Sequence, residues 1–126
     1  IGSNCIIGEG VYIGPNVEIG NAVKIQNHSL IYEGVKIEDE VFIGPNVVTT
    51  NDIRPKASGE WSSRFRETLI EKGASIGANT TIICGNTIGK NSLVGAGSVV
   101  TKNVEENTLV YGNPAIIKGI NDASNS

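Results

Sequence analysis

The side chains best suited to proton transfer and hydrogen bonding in this chain lie in two short stretches, around His28 and around Asn51. His28 is the only histidine of the 126 residues, and an imidazole can accept a proton near neutral pH. Asn51 stands between Thr50 and Asp52, which groups an amide with a hydroxyl and a carboxylate. Such a group can position a polar substrate, polarise a reacting group or accept a proton. Whether these side chains meet depends on the elements that carry them.

An apolar residue recurs at every sixth position, first from residue 1 to 49 and then, in a new phase, from 70 to 100. Fourteen of these fifteen positions are isoleucine or valine, and Thr49 is the exception. A period of six fits neither a helix face nor a half-buried strand, but it fits a solenoid of short strands joined by tight corners. The β-branched side chains predict that each strand buries this position.

Each hexapeptide ends in a residue that tolerates a left-handed backbone. Three positions after the apolar residue, eleven of fifteen residues are asparagine or glycine. Corners at these positions would close three strands into a triangular coil of roughly eighteen residues, stacked at about 4.8 Å. Residues eighteen apart then lie above one another. This predicts that Tyr32 and Glu33 lie beside Thr50 and Asn51 at one corner, with Asp52 next to them.

The period breaks between Thr49 and Ile70, where the sequence predicts a loop over about residues 53–69. Pro55 and Gly59 favour a loop, and the only tryptophan, Trp61, lies there among four basic residues. Trp61 can contact a ligand as part of a lid, or it can pack the loop against the solenoid or a neighbouring subunit. Polar side chains at a corner beside an irregular loop form the best candidate site of the chain.

The C-terminal half combines small residues in neighbouring repeats with a Gly-Asn-Pro-Ala segment. The repeats read Ile76-Gly77-Ala78-Asn79 and Val94-Gly95-Ala96-Gly97-Ser98-Val99-Val100-Thr101-Lys102, followed later by Gly112-Asn113-Pro114-Ala115. These segments resemble the coenzyme A half of the hexapeptide-repeat acetyltransferases. Small side chains would let a pantetheine arm lie along the groove, although corner geometry alone also accounts for the glycines.

From Ile1 to about Gly119 the chain resembles the hexapeptide-repeat acyltransferases, which fold as left-handed parallel β-helices. The resemblance implies an all-β fold with one β-helix domain over residues 1–119, the protruding loop, and a C-terminal tail over 120–126. It also implies acetyl-CoA as co-substrate and no metal. Lys118 would meet a phosphate of the coenzyme, or be a solvated lysine. The implied coenzyme contacts are Gly77, Ala78, Gly95, Ala96, Gly112, Asn113, Pro114 and Lys118.

One combined pattern indicates which kind of acyltransferase the chain resembles. The pattern consists of Lys24-Ile25-Gln26-Asn27-His28-Ser29-Leu30-Ile31-Tyr32-Glu33-Gly34-Val35, residues 37–48 and Thr50-Asn51-Asp52. It is similar to the sugar-nucleotide 3-N-acetyltransferases, which acetylate the 3-amino group of dTDP- or UDP-linked amino sugars. Those enzymes supply surface-polysaccharide precursors and act as homotrimers with sites between subunits. The Thr-Asn-Asp segment favours a dTDP-3-amino-3,6-dideoxyhexose over UDP-3-aminoglucuronate.

The resemblance assigns positioning and catalysis to Asn51. His28 falls where relatives often carry a second asparagine, so it either accepts the amine proton or serves as a corner residue while the departing thiolate takes the proton. Glu33 and Asp52 are alternative bases or ligands for sugar hydroxyls. The expected substrate contacts are Asn27, Tyr32, Glu33, Asp52 and Trp61.

Two other functions compete with N-acetylation. Antibiotic and galactoside O-acetyltransferases use a histidine near the loop to activate a hydroxyl, whereas here Arg54 precedes Pro55. A non-catalytic trimeric scaffold ranks third, because the coenzyme segment is intact. The three-histidine zinc site of the hexapeptide carbonic anhydrases needs more than one histidine per chain.

Composition sets the remaining expectations. The net charge of −3 argues against a nucleic-acid or anionic-membrane partner, and the chain has neither an apolar run of membrane-spanning length nor a signal-peptide pattern. Two isolated cysteines fit a reducing cytoplasm. The absence of methionine, with Ile1 already in repeat register, predicts that the native N-terminus is not represented.

Overall fold

In the computed structural model, which describes residues 1–122, the chain forms a triangular parallel β-helix. Most strands are two residues long, because each must turn at a corner before a longer strand can form. The strands of this part of the chain are β1 (Ile6–Ile7), β2 (Tyr12–Ile13), β3 (Glu18–Ile19), β4 (Lys24–Ile25), β5 (Leu30–Ile31), β6 (Val35–Ile37), β7 (Phe42–Ile43), β8 (Val48–Thr49), β9 (Thr68–Ile70), β10 (Ser75–Ile76), β11 (Thr81–Ile82), β12 (Thr87–Ile88), β13 (Leu93–Val94), β14 (Val99–Val100), β15 (Thr108–Gly112) and β16 (Ala115–Ile120).

Three sheets form the faces of the prism. Sheet A has the order β1-β4-β7-β10-β13-β15-β16, sheet B the order β14-β11-β8-β5-β2, and sheet C the order β12-β9-β6-β3. Ile7 pairs with Ile25 and Ile25 with Ile43, which confirms the predicted eighteen-residue stacking. Ile43 then pairs with Ile76 instead of with residue 61. The loop is therefore an insertion into one coil, after which the stack resumes in register.

The corners adopt the left-handed backbone that the asparagine and glycine pattern predicts. His28 has φ 65° and so matches Asn46 with φ 58° one coil above and Gly10 with φ 72° one coil below. Ala22 and Glu40 take the same conformation, although neither residue type favours it. At these two corners, stacking on the neighbouring coils therefore overrides the backbone conformation that alanine and glutamate prefer.

The isoleucine ladder is the core. Ile25, Ile43 and Ile76 are fully buried on successive coils, and the same holds along the other two faces. Thr49 is also fully buried at its ladder position. Its hydroxyl accepts a hydrogen bond from the Tyr32 backbone N–H (2.9 Å) and donates one to the Leu30 carbonyl (3.1 Å). The one polar member of the ladder is thus satisfied within the coil below.

The C-terminal end departs from the repeat. Strands β15 and β16 form an antiparallel hairpin on sheet A, with Asn113 and Pro114 in its turn. The predicted tail at 120–126 overlaps the end of β16 at Ile120, and its residues 123–126 lie outside the described part of the chain. Residues 1–122 hold no helix long and apolar enough to cross a membrane.

Candidate functional site

The predicted site residues lie along two edges of the prism. The AB corner is the edge where the chain passes from sheet A to sheet B, as at residues 26–28, 77–79 and 95–97. The BC corner is the edge between sheets B and C, as at residues 32–34 and 50–52. Asn51 and His28 therefore occupy different edges of one chain.

At the BC corner, hydrogen bonds link three polar residues of successive coils. The Asn51 amide nitrogen donates to the Glu33 backbone carbonyl (3.1 Å), and the Asn16 amide nitrogen donates to the Glu33 carboxylate (3.0 Å). A carbonyl accepts only from the nitrogen end of an amide, so the contact fixes which way the Asn51 side chain faces. Its Oδ1 makes no hydrogen bond within residues 1–122 and is available as an acceptor.

Asn51 lines a small open pocket. The cavity has a volume of about 230 Å³ and is lined by Tyr32, Val48, Thr49, Thr50, Asn51, Asp52 and Pro55; we call it the Asn51 pocket. Thr50 accepts a hydrogen bond from the Cys84 N–H (2.9 Å) and donates to the Ile82 carbonyl (3.1 Å). Both bonds tie this hydroxyl to the coil above, so its one donor is already used.

The insertion begins as a short antiparallel arm. Its stem is formed by the Ile53 N–H to Arg64 carbonyl bond and the Arg66 N–H to Asn51 carbonyl bond, each 3.0 Å. The Asp52 carboxylate accepts from Arg64 Nε at 3.1 and 3.2 Å and from the Arg54 N–H at 3.0 Å. Asp52, predicted to bind substrate, thus has its oxygens engaged inside the loop.

Of the two aromatic side chains of the arm, Phe65 packs against the solenoid and Trp61 packs against Phe65. Trp61 and Phe65 meet edge to face with ring centroids 5.0 Å apart, and Trp61 does not line the Asn51 pocket. Gly34 has φ 100°, and a methyl group added there would lie 2.6 Å from Phe65 Cζ. Only glycine fits beneath the Phe65 ring. Within residues 1–122 Trp61 thus contacts Phe65 of its own arm, and its contact with a substrate stays a prediction.

His28 and Asn27 lie on the AB corner, one face of the prism away from Asn51. Asn27 Oδ1 accepts the Glu9 backbone N–H at 3.0 Å, which commits its oxygen to joining two coils. The His28 imidazole lies directly over Gly10, where any added side chain would collide with Nδ1. A single chain therefore does not bring His28 to Asn51.

The predicted coenzyme residues continue along the AB corner above His28. A methyl group at Gly77 would lie 2.5 Å from the Ala96 nitrogen, and one at Gly95 would lie 2.8 Å from Tyr111 Cβ. Both glycines are thus required by the close approach of the next coil. Ala78 is half-buried and Ala96 exposed, so these small side chains form a ledge on the surface. The expected pantetheine contact along this ledge stays a prediction, because the close packing of the coils alone accounts for both glycines.

The C-terminal hairpin places the other coenzyme candidates at the end of this ledge. Gly112 donates its N–H to the Ser98 hydroxyl at 3.3 Å, and Asn113 and Pro114 are exposed in the turn. Lys118 Nζ lies 5.1 Å from the centroid of the Tyr111 ring, a cation–π contact that holds the amine near the hairpin. Among residues 1–122, no three His, Cys, Asp or Glu side chains are grouped to hold a metal ion.

Three residues that contribute to the site were not predicted from the sequence. Asn16 precedes Glu33 by about one coil, so the stacking rule could have placed them together. Arg64 and Phe65 belong to the insertion, where no period relates a residue to its neighbours. Asp52 was predicted as a substrate contact, but nothing in the sequence indicated that it pairs with Arg64 or that Phe65 covers Gly34.

Two family models match the repeats. One describes the bacterial transferase hexapeptide (six repeats) and matches residues 1–32 and 16–51; the other describes the hexapeptide repeat of succinyl-transferase and matches residues 68–102. The chain is also 30% identical to a hexapeptide-repeat-containing acetyltransferase from Vibrio cholerae O1 biovar eltor, solved with acetyl coenzyme A. The TM-score is 0.73, with 91% of this chain and 70% of that one covered. The predicted left-handed parallel β-helix is confirmed.

Two curated relatives differ in the acceptor atom. A dTDP-3-amino-3,6-dideoxy-alpha-D-galactopyranose 3-N-acetyltransferase from Aneurinibacillus thermoaerophilus is 51% identical over 55 residues, which are 44% of this chain. A galactoside O-acetyltransferase from Lactococcus lactis subsp. lactis is 33% identical over 136 aligned positions, covering 98% of this chain. The chain spans 29% of the first relative and 64% of the second.

Proposed function

Because the chain belongs to the bacterial hexapeptide-repeat acetyltransferases, we propose that it transfers an acetyl group from acetyl-CoA to the 3-amino group of a nucleotide-linked sugar. The higher local identity to the 3-N-acetyltransferase supports an amine acceptor. We favour a dTDP-3-amino-3,6-dideoxyhexose over UDP-3-aminoglucuronate, with the product used for surface polysaccharides. The two free thiols, Cys5 and Cys84, fit a cytoplasmic enzyme.

The fixed orientation of Asn51 carries this proposal. An amine N–H can donate to Asn51 Oδ1, and this bond would aim the nitrogen lone pair at the thioester carbon. The C–N bond then forms, the C–S bond breaks, and the coenzyme leaves as a thiolate that takes the proton from nitrogen. A neutral amine needs no prior deprotonation, so an acceptor oxygen in the right place suffices.

We propose that the working assembly is a homotrimer with sites between subunits. The ledge of small residues and Asn51 occupy opposite edges of sheet B in one chain. If sheet B faces a three-fold axis, the AB corner of one subunit meets the BC corner of the next. The outward column of this sheet is uncharged, which suits a subunit contact, whereas sheet C carries Glu18 and Lys36. That outward column of sheet B is Tyr12, Leu30, Val48, Thr81 and Val99.

The test of Asn51 is its replacement by alanine. Asn51→Ala should lower kcat by roughly 10²–10³ with dTDP-linked 3-amino sugars, since it removes the group that orients the amine. The matched control is Asn121→Ala, which also removes an amide that donates to a backbone carbonyl (Asn91, 2.8 Å) but lies far from the pocket. Coenzyme A release measures turnover, and light scattering checks the assembly. Unchanged turnover in Asn51→Ala would remove Asn51 from the mechanism.

O-acetylation is the second candidate, supported by the long match to the galactoside O-acetyltransferase. The same coenzyme release assay with dTDP-linked, UDP-linked and simple sugars separates the two functions. Acetylation of hydroxyl acceptors alone would overturn the amine assignment. No turnover together with no coenzyme A binding would favour a scaffold.

A further inference from the structure

The two edges of sheet B carry complementary charges at the same level of the stack. Within residues 1–122, His28 is the only residue of the AB corner that can become positively charged. The acids of the BC corner are Glu33, Asp52 and Glu67. Asp52 is paired with Arg64 at 3.1 Å, and Glu67 lines a cavity on sheet C. Glu33 has neither an ion-pair partner in this part of the chain nor a place in that cavity, and it lies on the same coil as His28.

The Glu33 carboxylate and the His28 imidazole both lack a partner of opposite charge within residues 1–122. The half-buried carboxylate accepts a hydrogen bond from the neutral Asn16 amide at 3.0 Å, which holds it in place without compensating its charge. The imidazole is exposed and lies over Gly10 of the coil below. Each group would therefore gain from contact with the other, but β5 separates them within one chain.

The proposed trimer brings these two edges together in a fixed register. A three-fold axis parallel to the stack carries every coil to the same height in the neighbouring subunit. The rise of about 4.8 Å per coil is spread over three faces, so Glu33 lies only a fraction of a coil above His28. The AB corner of one subunit therefore presents His28 at the level of Glu33 in the next subunit. One coil higher, Asn46 faces Asn51 in the same way.

We infer that His28 of each subunit pairs with Glu33 of the next subunit, so that three identical ion pairs join the trimer one coil below Asn51. The inference rests on the proposed function, because it assumes the homotrimer with sheet B toward the axis. An imidazole acquires its charge just below neutral pH. The pair is therefore formed in mildly acidic solution and is lost as the imidazole gives up its proton, so the trimer should dissociate more readily at alkaline pH.

Other charged groups lie near this contact but on other coils. Glu9 lies on the AB corner one coil below His28. The arm leaves the BC corner one coil above Glu33 and carries the exposed Arg54 and Lys56. Arg54 is thus the alternative cation for Glu33, and it has to be tested directly. The remaining titratable or charged groups around the contact are Lys24, Tyr32, Asp52 and Arg64.

The experiment measures trimer dissociation in a dilution series by mass photometry, at about pH 6 and at about pH 8. The wild-type trimer should be at least roughly tenfold tighter at the lower pH. His28→Asn and Glu33→Gln should each remove this difference, and the double variant should behave like either single variant. Asparagine fits the corner, and glutamine keeps an oxygen for the Asn16 amide. Glu9→Gln and Arg54→Gln are the matched controls, and both should keep the wild-type pH dependence.

A cysteine pair tests the register independently of charge. Asn27→Cys combined with Tyr32→Cys places one thiol on each edge of the same coil, next to the proposed ion pair. Mild oxidation of this variant should give a covalent trimer in denaturing electrophoresis. Pro45→Cys combined with Tyr32→Cys is the control, because residue 45 lies one coil above residue 27. A Cys5→Ser background removes the half-buried native thiol, and Cys84 is buried.

The outcomes separate this inference from the proposed function. Equal dissociation at both pH values, loss of the pH dependence in Arg54→Gln, or a cross-link only in the Pro45 control would overturn the pair of His28 and Glu33 while leaving the trimer and acetyl transfer intact. A protein that stays monomeric at all concentrations would overturn both the trimer and the pair. A pH-dependent trimer that acetylates none of the sugars would support the pair and overturn the proposed reaction.

Discussion

At the residue scale, His28 illustrates how a side chain with catalytic chemistry can be explained by its backbone. Its φ of 65° belongs to an AB-corner position that Asn46 and Asn79 occupy in other coils, with φ 58° and 60°. Histidine tolerates this region better than most residues do. The imidazole is exposed on the AB corner and contacts the coil below at Gly10. The corner conformation therefore accounts for the residue without a catalytic role.

His28→Asn should keep both the turnover and the pH–rate profile of acetyl transfer, because the coenzyme thiolate can take the amine proton. Asparagine fits the corner, so the variant changes the imidazole and little else. His28→Val is the contrasting variant, and it should lose on the order of 1–2 kcal/mol of unfolding free energy to left-handed strain. A drop in kcat for His28→Asn, with loss of one limb of the pH profile, would instead show that the imidazole is the base.

At the scale of elements, the insertion is a folded arm tied to Asn51 itself. The Asn51 carbonyl accepts the Arg66 N–H, and Asp52 is bound by the Arg64 side chain. Phe65 covers Gly34 on the coil below. The same residues that begin the arm thus line the Asn51 pocket, so the arm and the pocket wall cannot move independently.

Breaking the Asp52–Arg64 pair should loosen the arm more than the solenoid. In Arg64→Gln we expect faster trypsin cleavage after Lys56 with little change in Tm, because local opening needs only the arm to detach. A double-mutant cycle with Asp52→Asn, evaluated on the free energy of opening the arm, should give a coupling free energy on the order of 1 kcal/mol. Arg66→Gln is the matched control, since its guanidinium bonds only carbonyls. Equal cleavage rates for the two variants would show that the ion pair does not hold the arm.

The arm also marks where prediction from sequence ends. The repeat placed Glu33 beside Asn51, because stacked coils relate residues by a fixed interval. The same rule could not locate Arg64 against Asp52, since an insertion obeys no interval and its contacts depend on a particular fold of the loop. The site was therefore predictable on the solenoid side and not on the loop side.

At the scale of the whole molecule, burial depends on the position of a coil in the stack. Ladder residues in the middle have a coil on each side and are fully buried, as Ile43 is. Ile7 holds the same ladder position in sheet A, but it lies in the first coil and is 36% exposed. Isoleucines of one column therefore contribute unequally to stability, as expected for a solenoid whose stability comes from contacts between neighbouring coils.

This gradient predicts different outcomes for one substitution at two positions. Ile43→Asp should prevent folding, because it removes about 1.5–3 kcal/mol of burial and also places an unpaired carboxylate between two coils. Ile7→Asp should fold with a lowered Tm, since water reaches the side chain at the end of the stack. Circular dichroism and light scattering of the purified variants measure both effects. A soluble Ile43→Asp protein with the Tm of the Ile7→Asp variant would contradict the register of the ladder.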